Sequence, residues 1–424
     1  MSQTAIGIGD IALYLPDPEM DMQTLMEARG KSHPQLVRIM NRAIEHTGQL
    51  SFRFPEPWED TASMAANSAA EIMDRLKNEE RSRIRYISVG TETAVDHAKP
   101  AASYVQGMLN DAGYGLGTSM TTYEVKHACA GGTAALLSAA SMLSLSGKPE
   151  EKALAISSDI ARYDAPSTAE ITQGAGAVSL LVEKNPRLLE MDLSTQGLYA
   201  SDVDDFFRPL DSVTAKVKGR YSMDCYQEAL EKAFADFCER KGSSSCQVID
   251  EIDYIALHVP FARMPETALR KLLKNCCGKD DDKIEHYLKR TGFLEAMYLS
   301  ETFGNLYNAS LYTYLAALLQ QEHKKIGKGI IGKTILIASY GSGNTMMVFA
   351  ATIAENATEV ISRWDLEKWN RSSRPADFTE YRNWLERPEN LDVWKEILNS
   401  ARPLKNRFYL KDFGKNGLRI YSRG

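Results

Sequence analysis

No Cys-x-x-Cys pair occurs in this chain. Its six cysteines are Cys129, Cys225, Cys238, Cys246, Cys276 and Cys277, and only the last two adjoin. That spacing excludes a zinc-site or dithiol redox signature, so neither a metal nor a redox cofactor is expected. The beginning, Met-Ser-Gln-Thr-Ala-Ile-Gly-Ile-Gly, has neither a basic stretch nor a long apolar run. Neither a signal peptide nor a membrane span is expected, and a cytoplasmic location with reduced thiols is. Excess charge is small as well: the net charge is −6 over 424 residues. That argues against a nucleic-acid or anionic-membrane surface, while leaving room for a local basic patch facing a phosphate. Gly174 and Gly176 lack the third glycine and the following helix of a dinucleotide fingerprint. Low-complexity segments and short repeats are absent.

What is present reads as a soluble globular chain, with 44% apolar and 25% charged residues. Its length fits about two or three domains, or one large duplicated unit. Strand-like stretches are Ile6 to Leu15, Arg85 to Val89, Ala153 to Ser158, Ala175 to Glu183, Asp253 to Leu257, Thr334 to Ser339 and Met346 to Ile353. Helix-like stretches are Asp21 to Ala28, Val37 to Ile44, Thr61 to Leu76, Pro100 to Leu109, Tyr221 to Arg240, Glu266 to Leu273 and Ser310 to Gln320. Alternating strands and helices give an α/β class. Phe408 to Phe413 and Leu418 to Ser422 flank Gly414-Lys-Asn-Gly417, a hairpin signal. Two halves are expected, 1–185 and 186–424, joined by a polar stretch over 186–220.

The most informative stretch is Thr122-Tyr-Glu-Val-Lys-His-Ala-Cys129-Ala-Gly-Gly-Thr-Ala-Ala-Leu-Leu. Tyr123, Val125 and His127 alternate as in a strand, and a helix follows from Gly131. Cys129 stands at the join. A thiol at a helix N-terminus meets unpaired N–H groups and the positive end of the dipole, so a thiolate nucleophile is expected. Taken alone, this cysteine could equally be a small core residue. Three further groups end apparent strands: Glu92, His258 and the Gly341-Ser-Gly343 turn. Strand ends are where α/β folds gather ligands. Alone, Glu92 reads as a solvated carboxylate or helix cap, His258 as a satisfied core histidine, and the glycines as a tight turn. His127 reads as packing.

Together these segments resemble the 3-hydroxy-3-methylglutaryl-CoA synthase family of the thiolase-like superfamily. The resemblance runs over residues 61 to 350. It is carried by Gly90-Thr-Glu92-Thr-Ala, Cys129-Ala-Gly-Gly-Thr, Ser158-Asp-Ile-Ala-Arg-Tyr163, Glu170-Ile-Thr-Gln-Gly-Ala-Gly-Ala177, Asp205-Phe-Phe-Arg-Pro209, His258-Val-Pro-Phe-Ala-Arg263, Gly304-Asn305-Leu-Tyr-Asn-Ala-Ser310 and Ser339-Tyr-Gly-Ser-Gly343. It implies a layered αβαβα architecture built from two related halves. It also implies roles. Cys129 takes an acetyl group from acetyl-CoA, and Glu92 is general base on the acetyl methyl. His258, with Asn305, polarises the ketone of acetoacetyl-CoA. The backbone N–H groups of Cys129 and Ser342 form the oxyanion hole, with Gly341 and Thr172 carried over as substrate-binding positions. Arg263 lies near the CoA or phosphopantetheine phosphates. A homodimer is implied too, and no cofactor beyond the thioester substrates.

Ala130 stands where most of the family has an aromatic residue, Phe207 where it has Trp, and residues 32–60 depart from the usual pattern. These changes bear on the acyl pocket and its entry. The reading is an enzyme making 3-hydroxy-3-methylglutaryl-CoA for isoprenoid precursors. A cousin acting on a β-ketoacyl chain held by an acyl carrier protein, in polyketide β-branching, is the alternative. Ser82-Arg-Ile-Arg-Tyr and Glu124-Val-Lys-His-Ala-Cys favour the cousin, and Asn305-Leu-Tyr-Asn-Ala-Ser the CoA enzyme. A non-catalytic dimerisation partner would have no chemical need for Glu92, Cys129 and His258 together.

Overall fold

A computed structural model describes residues 4–146, 148–386, 390–400 and 402–424. In chain order its principal strands are β1 Ile6–Tyr14, β2 Ile84–Gly90, β3 Thr121–Val125, β4 Lys152–Ala161, β5 Gly174–Lys184, β6 Leu189–Ala200, β7 Phe206–Phe207, β8 Lys216–Val217, β9 Tyr254–Leu257, β10 Thr334–Gly341, β11 Thr345–Ile353, β12 Phe408–Phe413 and β13 Arg419–Arg423. The principal helices are α1 Met22–Ser32, α2 Val37–Thr47, α3 Thr61–Arg75, α4 Ala101–Asp111, α5 Gly131–Leu145, α6 Gly219–Lys241, α7 Arg263–Cys277 and α8 Asn308–Ile326.

Nine strands form one sheet in the order β9-β10-β11-β6-β1-β5-β4-β2-β3. β2, β3 and β4 run parallel, as do β9 and β10. The two ends of the sheet belong to different halves of the sequence, and among the described residues their strands pair at Gly7 with Glu190 and Ile8 with Leu189. α5 and α8 lie between the ends: α5 packs on β4 and β2, α8 on strands of both ends. α3 and α4 cover the outer face of one end; α6, backed by α7, covers that of the other. This is the layered αβαβα order of the thiolase fold.

The central helices explain the apolar runs. Leu136, Leu143, Leu311, Leu315 and Leu318 are wholly buried, each contributing about 2 kcal/mol through apolar burial. The stretch Ala128–Leu145 has a mean hydropathy of 1.5, enough by composition for a membrane span; in this fold it is the core helix. α3 begins at a capping box: Asp60 accepts from the Ser63 N–H, and the Ser63 hydroxyl accepts from the Asp60 N–H, both at 2.9 Å. The other Asp60 carboxylate oxygen accepts from Arg419 and Tyr421, at 2.8 Å each. The predicted terminal hairpin, β12 with β13, is thereby tied back to the first half.

One expectation fails. The supposed polar junction over 186–220 contains β6, a twelve-residue strand central to the sheet. Its sides differ in exposure, and Asp192, Ser194 and Thr195 form a polar turn-like kink within it. Those residues disguise the strand in the sequence.

Candidate active site

β3 ends at Val125, so His127 lies beyond the strand rather than continuing its alternation. Ala128–Ala130 make a single tight turn, with Ala128 at φ +35°, and Cys129 sits in its middle just ahead of α5. The following glycines are required by close approach. A Cβ on Gly132 would lie 1.9 Å from the Ser157 hydroxyl oxygen, and one on Gly90 would lie 2.1 Å from the Gly132 nitrogen. From the other half, β10 presses on the same turn: a Cβ on Gly341 would stand 2.6 Å from the Ala130 Cβ.

Asn308 clamps this junction. Its Nδ2 donates to the Cys129 carbonyl at 2.6 Å, to Thr133 Oγ1 at 3.1 Å and to Ser339 Oγ at 3.2 Å. Its Oδ1 accepts from the Ser157 hydroxyl at 2.9 Å. The sequence held Asn308 inside a recognised segment without giving it a role; a buried amide opening an apolar helix was the available signal.

The thiolate expectation is corrected by the structure. Cys129 is buried, and burial pushes its thiol well above the usual range; the carboxylates of Glu92, Asp159 and Asp205 push it further the same way. A helix terminus offers about 0.3–1 kcal/mol, which does not offset desolvation beside three negative groups. The resting group is a thiol.

Glu92 stands two residues past β2 and is nearly buried. Its carboxyl is raised by burial, opposed by Arg208 and by the Tyr307 hydroxyl. Arg208 Nε lies 4.0 Å from Glu92 Oε1. That oxygen has no hydrogen-bond partner among the described residues. The turn carrying Glu92 is gripped by Asp159 of β4, whose Oδ1 accepts from the Glu92 N–H at 2.9 Å and from the Thr91 and Thr93 hydroxyls at 2.8 Å. Burial, then the Glu92 charge, pushes the Asp159 carboxyl up to about 7.

His258 follows β9 directly. Its backbone N–H donates to the Ala338 carbonyl at 3.0 Å, and its carbonyl accepts from the Tyr226 hydroxyl at 3.1 Å. Burial lowers the imidazole to about 3, so it is neutral at ordinary pH. Asn305 Nδ2 donates to the Tyr163 hydroxyl at 3.1 Å, and its Oδ1 accepts from the Tyr307 N–H at 2.9 Å. Asp205 fixes the turn after β10, accepting from the Gly343 N–H at 2.9 Å, the Tyr340 hydroxyl at 3.0 Å and the Ser222 hydroxyl at 2.9 Å.

Cys129, His258, Asn305, Ser342 and Thr172 all line one cavity of about 690 Å³. Gly341 and Glu92 are not among its lining residues. Arg263 is not on that wall: its guanidinium donates to the Glu45 carbonyl at 2.5 Å, at the end of α2. Its neighbours Phe261 and Met264 line the cavity, and the basic residue that does so is Arg220. Of the atypical positions, Phe207 points outward at 46% exposure. Phe206 instead packs edge-on to Tyr307, with ring centroids 5.9 Å apart. Residues 32–60 supply α2, whose Ala43, His46 and Thr47 reach the cavity. Among the described residues no group of three or more His, Cys, Asp or Glu side chains is arranged to hold a metal ion.

The family "Hydroxymethylglutaryl-coenzyme A synthase N terminal" matches residues 3–186, and its C-terminal counterpart matches 189–292 and 283–423. This chain belongs to the hydroxymethylglutaryl-CoA synthase family. It is an enzyme of that family. A Hydroxymethylglutaryl-CoA synthase of Enterococcus faecalis is 31% identical, with 82% of this chain and 83% of that protein covered. The polyketide-biosynthesis 3-hydroxy-3-methylglutaryl-ACP synthase PksG of Bacillus subtilis (strain 168) is 29% identical, covering 74% of this chain and 73% of its own. A solved structure of MvaS in complex with 3-hydroxy-3-methylglutaryl coenzyme A superposes with a TM-score of 0.84 at 31% identity, covering 99% of each chain. The synthase family thus includes relatives named for both CoA and carrier-protein products.

Proposed function

We propose that this synthase adds the acetyl carbon held on Cys129 to the ketone of acetoacetyl-CoA and releases 3-hydroxy-3-methylglutaryl-CoA. The observation carrying this reading is the meeting of Cys129, His258, Asn305 and Ser342 on one cavity, with Glu92 close behind the thiol. The Cys129 sulfur attacks the acetyl-CoA carbonyl, and the departing CoA thiol leaves with the proton of the cysteine. Glu92 then removes a proton from the acetyl methyl. A buried carboxylate with a raised proton affinity suits that weak carbon acid. The enolate attacks the acceptor ketone, whose oxygen meets the neutral His258 imidazole and Asn305. The proton lost by the methyl equals the one the new alkoxide requires. Backbone N–H groups of Cys129 and Ser342 stabilise the thioester oxygen as charge builds there. Water then cleaves the Cys129 thioester.

Labelled acetyl-CoA tests the first half: one acetyl group bound to Cys129, lost in Cys129→Ser, supports it, and label on another cysteine refutes it. Glu92→Ala should still load acetyl and lose condensation by about 100-fold or more; normal condensation would remove Glu92 from the reaction.

A carrier-protein acceptor is the second reading. It is favoured by exposed apolar residues on the segment between β7 and β8, Leu210 at 87% and Val213 at 66%, beside the cavity-lining Phe206, Ala215 and Val217. Faster turnover of acetoacetyl carrier protein than of acetoacetyl-CoA would select it. A homodimer is part of the proposal, supported by the place of β3 as the terminal strand of the sheet among the described residues.

A further inference from the structure

The short sheet of β7 and β8 stands apart from the nine-stranded sheet. Its Phe206 and Val217 line the cavity, and its attachments are specific. Asp205, just ahead of β7, holds the 340–343 turn. The Ala215 N–H donates to the Arg162 carbonyl at 2.9 Å. Lys216 and Thr214 bind Asp164 at 2.7 Å. Arg208, just after β7, points back toward Glu92. The pair is largely shut off from solvent, with side-chain exposures of 24% and 8%.

The Glu92 carboxyl is faced from several elements. The Tyr307 hydroxyl comes from the start of α8, Asp159 from β4, Cys129 from the turn before α5, and Tyr163 from the end of β4. Asp159 is acidic, and the Cys129 and Tyr163 groups are neutral unless ionised. Arg208 is the one cation among these neighbours. An isolated carboxylate in such surroundings takes up a proton instead of staying charged, and a protonated Glu92 cannot remove one from the methyl.

We propose that Arg208 is a positioning residue of the condensation step, holding its cation beside Glu92 so that the carboxylate stays ionised. The proposal rests on the reading of Glu92 as base. Arg208 directly follows β7, so the segment that Asp205 and Asp164 anchor is also the one that carries the cation to Glu92. The proposal also separates the two half-reactions. Acetyl transfer to Cys129 uses no base at Glu92, and a less charged Glu92 beside the thiol eases its ionisation.

The test follows condensation from pre-acetylated enzyme as a function of pH, in wild type, Arg208→Met and Arg208→Lys, with labelled acetyl loading in parallel. Losing the cation raises the proton affinity of Glu92, so the acid limb of condensation moves to higher pH in Arg208→Met. The deficit should be about tenfold or more at neutral pH and should close as the pH rises, as for a single titrating base. Arg208→Lys should restore most of the profile, and loading should persist in both variants. An unshifted acid limb, or a deficit of the same size at every pH, overturns the proposal; the latter would mean that Arg208 only holds the β7–β8 segment together. Should Arg208→Met fail to fold, Arg208→Gln replaces it. Glu92→Gln separates the two claims. If that variant condenses normally, the base assignment itself falls. If it is inactive while Arg208→Met matches wild type, only the role of Arg208 falls.

Discussion

Replacing Asn308 with Ala should both destabilise the protein and slow acetyl loading of Cys129. The side chain meets four polar partners between 2.6 and 3.2 Å, three of them sharing its two N–H donors, in a wholly buried position. Each contributes about 1 kcal/mol net, and a buried polar group left without a partner costs about 1–3 kcal/mol. The hydroxyl groups can rotate in search of others: Thr133, for one, also meets the Tyr312 hydroxyl at 2.8 Å. The Cys129 carbonyl cannot rotate without moving the nucleophile turn. A net loss of about 2–4 kcal/mol follows, lowering the folding constant roughly 30- to 1000-fold. Urea unfolding midpoints measure the stability, and the rate of labelling by acetyl-CoA measures the turn. Pairing Asn308→Ala with Ser157→Ala should cost less than the sum of the two, because both remove the same contact. A loss under about 0.5 kcal/mol with an unchanged labelling rate would refute the clamp.

His258→Ala should cut condensation by about 100-fold while acetyl loading stays near normal; equal losses in both steps would contradict its placement at the acceptor. Because His258 is neutral down to about pH 3, its titration should leave no inflection in the wild-type rate between pH 5 and 8, and a rate loss there that vanishes in His258→Asn would contradict this. Glu59, fully buried and paired with the Tyr14 hydroxyl, has its carboxyl pushed from 4.5 up to about 7, chiefly by burial. The folded state therefore binds this proton more tightly than the unfolded chain. That contribution, about 3 kcal/mol, is complete below pH 4.5 and is lost as the pH rises through 7. Thermal scans of Glu59→Gln should decline less between pH 5 and 8 than those of wild type; parallel curves would refute the assignment.

Most principal elements were legible because their patterns are local. The small-residue face of Thr61–Arg75 and the buried runs of β2, β4 and β5 each announce themselves within a few residues. Of the candidate site, the sequence pointed to Glu92, Cys129 and His258 because a reactive side chain follows a strand in each case: His258 directly, Glu92 two residues on, and Cys129 in a turn of its own. What escaped depends on partners far along the chain. Asn308 gains meaning only beside Ser157 and Ser339, Asp159 beside the 91–93 turn, and Arg208 beside Glu92. The thiolate expectation failed for the same reason. The local sequence displays the helix that favours an anion, while the carboxylates that oppose it arrive from other segments.

The amide of Asn308 reaches the Cys129 carbonyl across 179 residues of sequence, and the turn at Gly341 that presses on Ala130 comes later still. During synthesis the nucleophile emerges long before either. A chain stopped before residue 308 carries Cys129, Glu92, His258 and Asn305 but lacks the amide that clamps the Cys129 turn and the 341–343 turn that packs on it. The clamp on the Cys129 turn is thus completed late in the making of the molecule, by groups that leave the ribosome well after the turn they hold.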